Sequence, residues 1–161
     1  MSAMMLYPLP PIPQQPDKVA FQIAETGESV TFDQLERRSN QAAHLLRASG
    51  VQSGDHIVLL AENCRQFLEI CFAADRAGVY YTAISTHATA DDAAYITADC
   101  DAKFVIVSEA KAAIAAHLAK QLPAIRHRYM IGTPIPGYDD WDAATAAQPE
   151  TRIADERQGL S

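Results

Sequence analysis

Three short polar runs directly follow predicted apolar strands, which is the position in this sequence most suited to reactive side chains. They are Glu62-Asn63, Ser85-Thr86-His87 and Ser108-Glu109. Their carboxylate, hydroxyl and imidazole groups can act as acids, bases or ligands, and ligands of an open parallel sheet bind beyond the carboxyl ends of its strands. The same residue types also cap helices, and a cap is needed at each position. The runs therefore favour helix capping over catalysis.

Other groups with chemical potential do not form a recognisable site. Gly50 and Gly54 lie between a predicted helix and a strand, whereas a phosphate-binding loop leads from a strand into a helix. Asp91 and Asp92 are neighbours on a predicted helix, so their carboxylates diverge. Among the five histidines, only His87 falls on a ligand-side loop, and no partner acid can be assigned to it. We therefore assign no catalytic, cofactor-binding or metal-binding residue.

The net charge and the spacing of the cysteines limit the classes of protein to which this chain can belong. The 161 residues carry a formal net charge of −7, and an acidic surface repels the phosphates of nucleic acids. The basic run Arg126-His127-Arg128 is interpreted as an exposed strand end or turn. Cys64, Cys71 and Cys100 fit neither zinc-site spacing nor a disulfide framework, which indicates buried free thiols in a reducing compartment. With no signal peptide and no apolar stretch of membrane-spanning length, we expect a cytoplasmic protein.

Strand and helix patterns alternate along the chain. Residues 19–24 and 28–31 predict a hairpin, and Thr31-Phe32-Asp33-Gln34 is a capping-box pattern that opens an amphipathic helix ending at Gly50. Further strands are predicted at 57–61, 79–84, 103–107 and 129–131, and further helices begin near Asn63, Thr89, Glu109 and Tyr138. This order predicts an α/β fold with a doubly wound, mostly parallel sheet, helices on both faces and a short N-terminal hairpin.

Composition divides the chain into three parts. Residues 1–16 are rich in proline and predict an extended lead-in. Residues 17–147 hold the α/β pattern. Residues 148–161 turn polar and contain no closing element, so a linker or a truncated tail is expected there.

An ordered set of short motifs points to a family. These are Pro16-Asp17-Lys18-Val19-Ala20, Thr31-Phe32-x-x-Leu35, Gly50-Val51-x-x-Gly54-Asp55-x-Ile57, Glu62-Asn63, Phe67-Leu68, Ala77-Gly78-Val79-Tyr80-Tyr81, Thr89-x-x-Asp92-x-x-Tyr95-Ile96 and Ala102-Lys103. In this order and spacing the chain resembles the N-terminal part of AMP-forming acyl-CoA synthetases, in the adenylate-forming ligase superfamily. The resemblance covers residues 16–108 well and the remainder loosely. Tyr81-Thr82-Ala83-Ile84 departs from the family, where many members carry a proline after the aromatic, so the acid substrate stays open.

The resemblance implies an enzyme that uses ATP, magnesium and coenzyme A to convert a carboxylic acid, of the fatty acid kind or another, into its acyl-CoA. In that family the phosphate loop, the acids that bind adenine and ribose, and the catalytic lysine lie downstream of the matched region. No segment up to Ser161 resembles them. Only Thr86 and His87 are candidates to approach an acyl pocket. The implied partner of this chain is the remainder of such a ligase.

Three hypotheses follow from these observations. The first is an N-terminal fragment of an acyl-CoA synthetase, inactive by itself and without a cofactor of its own. The second is a stand-alone binding or interaction module that self-associates through an exposed apolar face. The third is a small flavodoxin-like enzyme that binds a nucleotide or flavin at the strand ends. A phospho-receiver domain fits poorly, because its first and third strands would have to end in acids.

Overall fold

A computed structural model describes residues 15–156. Its centre is a parallel sheet of five strands in the order β4-β3-β5-β6-β7. The strands are β3 (His56–Leu60), β4 (Tyr80–Ala83), β5 (Ala102–Ser108), β6 (His127–Ile131) and the two-residue β7 (Asp139–Asp140). A separate antiparallel hairpin precedes them, formed by β1 (Val19–Gln22) and β2 (Ser29–Thr31). The predicted fold class is confirmed.

Helices cover both faces of the sheet. They are α1 (Phe32–Ala48), α2 (Arg65–Ala77), α3 (Ala90–Asp99), α4 (Ala112–Gln121) and α5 (Trp141–Ala146), with a 3-10 turn at Glu109–Lys111. Helices α1, α2 and α5 share one core with Ile57, Leu59 and Phe104. Helices α3 and α4 share the other core with Val58 and Leu60. Because successive side chains of a strand point to opposite faces, a continuous apolar strand such as β3 serves both cores.

Local sequence chemistry sets where two of the helices begin. Thr31 caps α1 through a reciprocal capping box, in which its hydroxyl accepts from the Gln34 N–H at 3.2 Å and the Gln34 side chain accepts from the Thr31 N–H at 3.0 Å. Thr89 and Asp92 form the same arrangement at α3. The expectation that Asn63 caps α2 was wrong. Cys64 is the cap residue there, and the Asn63 amide donates instead to Glu25 Oε1 at 3.0 Å.

Aromatic side chains fill the core beneath α5. Phe104 on β5 stacks on Tyr129 of β6 with ring centroids 4.9 Å apart. Trp141 meets the edge of Tyr129 at 6.0 Å, and it is almost fully buried. This packing joins the short α5 to the sheet, because large aromatic rings contribute most of the buried apolar area at such a contact.

Two differences from expectation lie outside the sheet core. The three cysteines are free, but each is only partly buried: Cys64 and Cys100 cap helix ends, and Cys71 lies within α2. The expected linker or tail at residues 148–161 is described as far as residue 156. Residues 148–156, here called the strap, lie against α1, and Ile153 is buried in the core. The lead-in at residues 1–16 lies almost wholly outside the described residues.

Candidate functional site

The strand order creates one place where a ligand crevice is expected. The chain passes from β3 to β4 on one side and then crosses back to β5 on the other side of β3. Helix α2 leaves β3 on one face of the sheet, whereas α4 follows β5 on the opposite face. Such a switch point opens a gap beyond the carboxyl ends of the two strands. Glu62 and Ser108, two of the residues singled out in the sequence, flank it.

The structure brings Glu62 and Ser108 together. The Ser108 hydroxyl donates to Glu62 Oε2 at 2.5 Å, and Lys111 Nζ lies 3.4 Å from Glu62 Oε1. Burial works to raise the pKa of the Glu62 carboxyl, but the hydrogen bonds from Ser108 and the backbone, together with the Lys111 charge, lower it below its ordinary value. Both carboxylate oxygens are thus engaged by groups of the chain itself, and the ion pair ties the end of β3 to the turn after β5.

A second carboxylate at the same edge is also engaged. Glu109 Oε2 accepts the Thr133 N–H at 2.6 Å, just after β6, and this bond lowers the pKa of Glu109. The contact depends on Gly132, whose φ is +97° and whose added Cβ would lie 2.6 Å from the Glu109 carboxyl group. Glycine is required here for both reasons. Glu109 therefore fastens β6 to β5 at the edge of the sheet.

The third polar run contributes a loop and no convergent group. The Ser85 hydroxyl accepts the His87 N–H at 3.2 Å and stabilises the turn. His87 is exposed, and its ring makes no hydrogen bond or ion pair with any residue of the 15–156 range. Thr86 is partly exposed beside it. Neither joins the Glu62–Ser108 pair.

The residues at this edge do not fit a resident metal ion. Across the described residues, no group of three or more His, Cys, Asp or Glu side chains is placed to hold one. Glu62 and Glu109 already bind a hydroxyl, a lysine and a backbone N–H.

One cleft lies away from the switch point. It measures about 370 Å³ and opens at the amino ends of β5 and β6, between Gly50, Lys103 and Arg126. Lys103 is paired with Asp55 at 2.7 Å. Of the basic run predicted as an exposed strand end or turn, Arg126 is exposed before β6, whereas His127 and Arg128 are half-buried within it. Since ligands of doubly wound sheets bind at the opposite edge, this cleft is a surface feature of the fold.

Sequence reasoning found Glu62 and Ser108 but missed Lys111 and Thr133. Lys111 could have been suspected from its place one turn after a strand end. Thr133 contributes its backbone N–H, and a backbone donor cannot be recognised from the type of residue that carries it. At this edge the contacts of Glu62 and Glu109 connect the ends of three parallel strands, β3, β5 and β6.

Comparison with known proteins agrees with this geometry. Residues 12–158 match the family described as AMP-binding enzyme. A 2-succinylbenzoate–CoA ligase from Oceanobacillus iheyensis is 35% identical over 94 residues, which are 58% of this chain and 19% of that enzyme. A long-chain fatty acid transport protein 1 from Homo sapiens is 29% identical over 115 residues, 69% of this chain and 18% of that protein.

A solved structure gives the corresponding likeness in three dimensions. The anthranilate–CoA ligase AuaEII in complex with anthranoyl-AMP superposes with a TM-score of 0.80 at 26% identity, over 88% of this chain and 27% of that one. The chain therefore spans about a fifth of the curated relatives named above and about a quarter of this structure. It is a member of the AMP-binding enzyme family, and it corresponds to an N-terminal region of the acyl-CoA ligases.

Proposed function

We propose that this chain is the N-terminal lobe of an ATP-dependent acyl-CoA synthetase. The observation that carries the proposal is the family match over residues 12–158. The superposition of the chain on an anthranilate–CoA ligase supports it. The substrate class is a carboxylic acid. A fatty acid is supported by the relatives whose names mention one, a human transport protein and a fatty acid–[acyl-carrier-protein] ligase from Streptomyces coeruleorubidus.

The proposed reaction has two steps. A carboxylate oxygen of the acid bonds to the α-phosphorus of ATP, and the bond to the leaving pyrophosphate breaks. The thiolate sulfur of coenzyme A then bonds to the activated acyl carbon, and AMP leaves with the electron pair of the broken C–O bond. Negative charge on the phosphates needs donors fixed in place before the reaction begins.

Within that reaction this lobe acts as scaffold. The Glu62–Ser108–Lys111 cluster and the Glu109–Thr133 bond hold the carboxyl ends of β3, β5 and β6 in register. We propose that no residue of this chain is catalytic, that magnesium and both nucleotide substrates are held by the remainder of a ligase, and that the isolated chain does not adenylate an acid. The loop with Thr86 and His87 stays the candidate to approach an acyl pocket.

Thermal unfolding with added ligand tests the proposal. A ligand at a hundred times its Kd stabilises a folded chain by about 2.7 kcal/mol, which raises Tm by roughly 5–10 °C in a domain of this size. We expect no rise in Tm with MgATP or a non-hydrolysable acyl-adenylate. A rise with either one contradicts the absence of a nucleotide site, and a rise with FMN instead supports the flavodoxin-like alternative.

An interaction module is a second candidate, favoured by the edge strand β4. It pairs with β3 alone, and Tyr80 and Tyr81 on it are 50% and 41% exposed. An edge strand without proline, lysine or a bulge is a template for pairing with another chain. If the chain self-associates there, sedimentation will show a dimer that Tyr80→Lys abolishes and Tyr95→Lys, on α3, does not. A monomer at high concentration excludes this role.

The proposal also concerns location. Over residues 15–156, no helix is long and apolar enough to cross a membrane. We propose the cytoplasm as the compartment, supported by three cysteines that remain free thiols, since disulfides are rare where glutathione keeps thiols reduced.

A further inference from the structure

Side chains of α1 hold the strap in place, whereas a strand or a helix would be held by hydrogen bonds of its own backbone. Residues 148–156 form neither element. Three polar side chains on one face of α1 contact carbonyl oxygens of the strap. The pairs are Gln41 Nε2 with Gln148 O (3.1 Å), Asn40 Nδ2 with Glu150 O (2.8 Å) and His44 Nε2 with Thr151 O (2.8 Å). Positions three and four apart share a helix face, so α1 presents a row of polar groups along the strap.

Charged contacts fasten both ends of the strap. Arg37 pairs with Glu150 at 3.4 Å near its start, and Arg47 pairs with Asp155 at 3.0 Å near its end. Arg37, Glu150 and Asp155 are exposed to solvent, whereas Arg47 is half-buried. Attraction between exposed charges is weakened by salt, because mobile ions screen it over about a nanometre or less.

A buried arginine lies beneath the last residue of the strap. The Arg76 side chain, on α2, is only 1% exposed. It donates to Glu156 Oε1 at 3.0 Å, to Ser39 Oγ at 3.1 Å and to Glu36. Glu36 also receives Arg152 of the strap at 3.0 Å. When the strap detaches from α1, Arg76 keeps its hydrogen bonds to Ser39 and Glu36 on α1. Water then replaces Glu156 as its third partner.

Apolar burial contributes one residue to the attachment. Ile153 is the strap residue that reaches the core, and its neighbours Arg152 and Ala154 are exposed. A segment with one buried apolar side chain and many solvent-facing polar bonds belongs to the low-stability end of a protein. The sheet, by contrast, is closed over two apolar cores.

From these contacts we propose that the strap is an ionic latch, which detaches from α1 as a unit while the sheet stays folded. Detachment uncovers the polar face of α1 and the guanidinium of Arg76. The inference rests on contacts within residues 36–156 and stands whether or not the chain is a ligase lobe.

Trypsin cleavage of the folded 161-residue chain after Arg152 reports opening of the latch, because proteases cut only segments that leave the folded body. Raising NaCl from about 0.02 M to about 0.5 M should accelerate this cut about tenfold, after correction with an unstructured peptide of the same sequence. Over the same time no cut should appear after Arg65 or Arg76, which lie within α2.

Matched variants separate the latch from a change of net charge. Trypsin should cut the Glu156→Gln variant after Arg152 faster than the wild type at low salt, and this rate should respond less to salt. The Asp99→Asn variant, an exposed change of the same charge on α3, should behave as the wild type. The proposal is overturned if cleavage after Arg152 only keeps pace with cleavage inside α2, or if neither salt nor Glu156→Gln changes its rate.

Discussion

Helix α1 belongs to the core that covers one face of the central sheet and also carries the strap, but different forces hold the sheet and the strap in place. Ile57, Val58, Leu59 and Leu60 of β3 are all 0% exposed and pack between apolar helix faces. The strap lies on the polar face of α1 and buries one apolar residue, Ile153. Apolar burial is insensitive to moderate salt, whereas exposed ion pairs are screened.

The difference shows that a single lobe can contain parts with separate stabilities. Removing a group from the sheet leaves a cavity between rigid layers, and the whole fold loses stability. Removing a group from the strap leaves polar partners that water can satisfy. Substitutions in the sheet and substitutions in the strap should therefore lower stability by different amounts and with a different dependence on salt.

The largest effect is expected from Phe104→Ala in β5. Phe104 is 0% exposed and stacked on Tyr129, so its removal should lower the free energy of unfolding by about 3–5 kcal/mol. Urea denaturation at low and high salt checks this, and the loss should be the same at both. Tyr95→Ala, at a side chain 70% exposed, should stay within about 0.5 kcal/mol of the wild type.

Arg76→Gln should come next. The change removes charged hydrogen bonds to Glu36 and Glu156 from a buried position, and we expect a loss of about 2 kcal/mol. The matched control is Arg37→Gln, whose ion pairs are exposed and should contribute about 0.5 kcal/mol or less. Equal losses for the two variants would contradict the distinction between buried and exposed arginines.

Thr31→Ala should have a smaller effect, at the start of the helix that carries the strap. It removes the hydroxyl that accepts the Gln34 N–H and should cost about 1 kcal/mol of stability. Thr31→Ser keeps that acceptor and should lose little. If the serine variant loses as much as the alanine variant, the methyl group and not the cap accounts for the effect.

The smallest effect is expected from Glu62→Gln at the carboxyl edge of the sheet. Because the folded protein holds the pKa of Glu62 below its ordinary 4.5, the carboxylate stabilises the fold above pH 4.5, and this stabilisation disappears as the pH falls through the lowered value. The side chain is 43% exposed, so the difference at neutral pH should be below about 1 kcal/mol. Chemical denaturation from pH 7 to pH 3 should show the two proteins converging. A difference that widens toward acid pH would contradict the assigned pairing.

Local patterns predicted the elements whose causes are local. The capping box at Thr31 is predicted from residues three apart and is confirmed, and the helix predicted near Thr89 begins there with Thr89 as its cap. The strand predicted at 57–61 is observed as β3 (His56–Leu60), and its side chains pack into both cores. The family resemblance on residues 16–108 is confirmed by the match over residues 12–158.

Long-range polar pairing was not predictable from sequence. Nothing near Glu156 indicates that it meets Arg76, 80 positions away, and the polar composition of residues 148–156 is equally typical of a solvated linker. At the candidate site, strand ends located Glu62 and Ser108, but the contribution of Lys111 depends on how the turn after β5 folds back. Such contacts need the assembled topology before their partners are known.

The most direct test of the central claim is acid-dependent ATP–pyrophosphate exchange by the isolated chain, with magnesium and a panel that includes fatty acids, benzoate and anthranilate. The account predicts no exchange above the background without acid, because the chain supplies a scaffold and no group that stabilises the phosphates. Exchange that depends on an added carboxylic acid would contradict it and would place an adenylation site within these 161 residues.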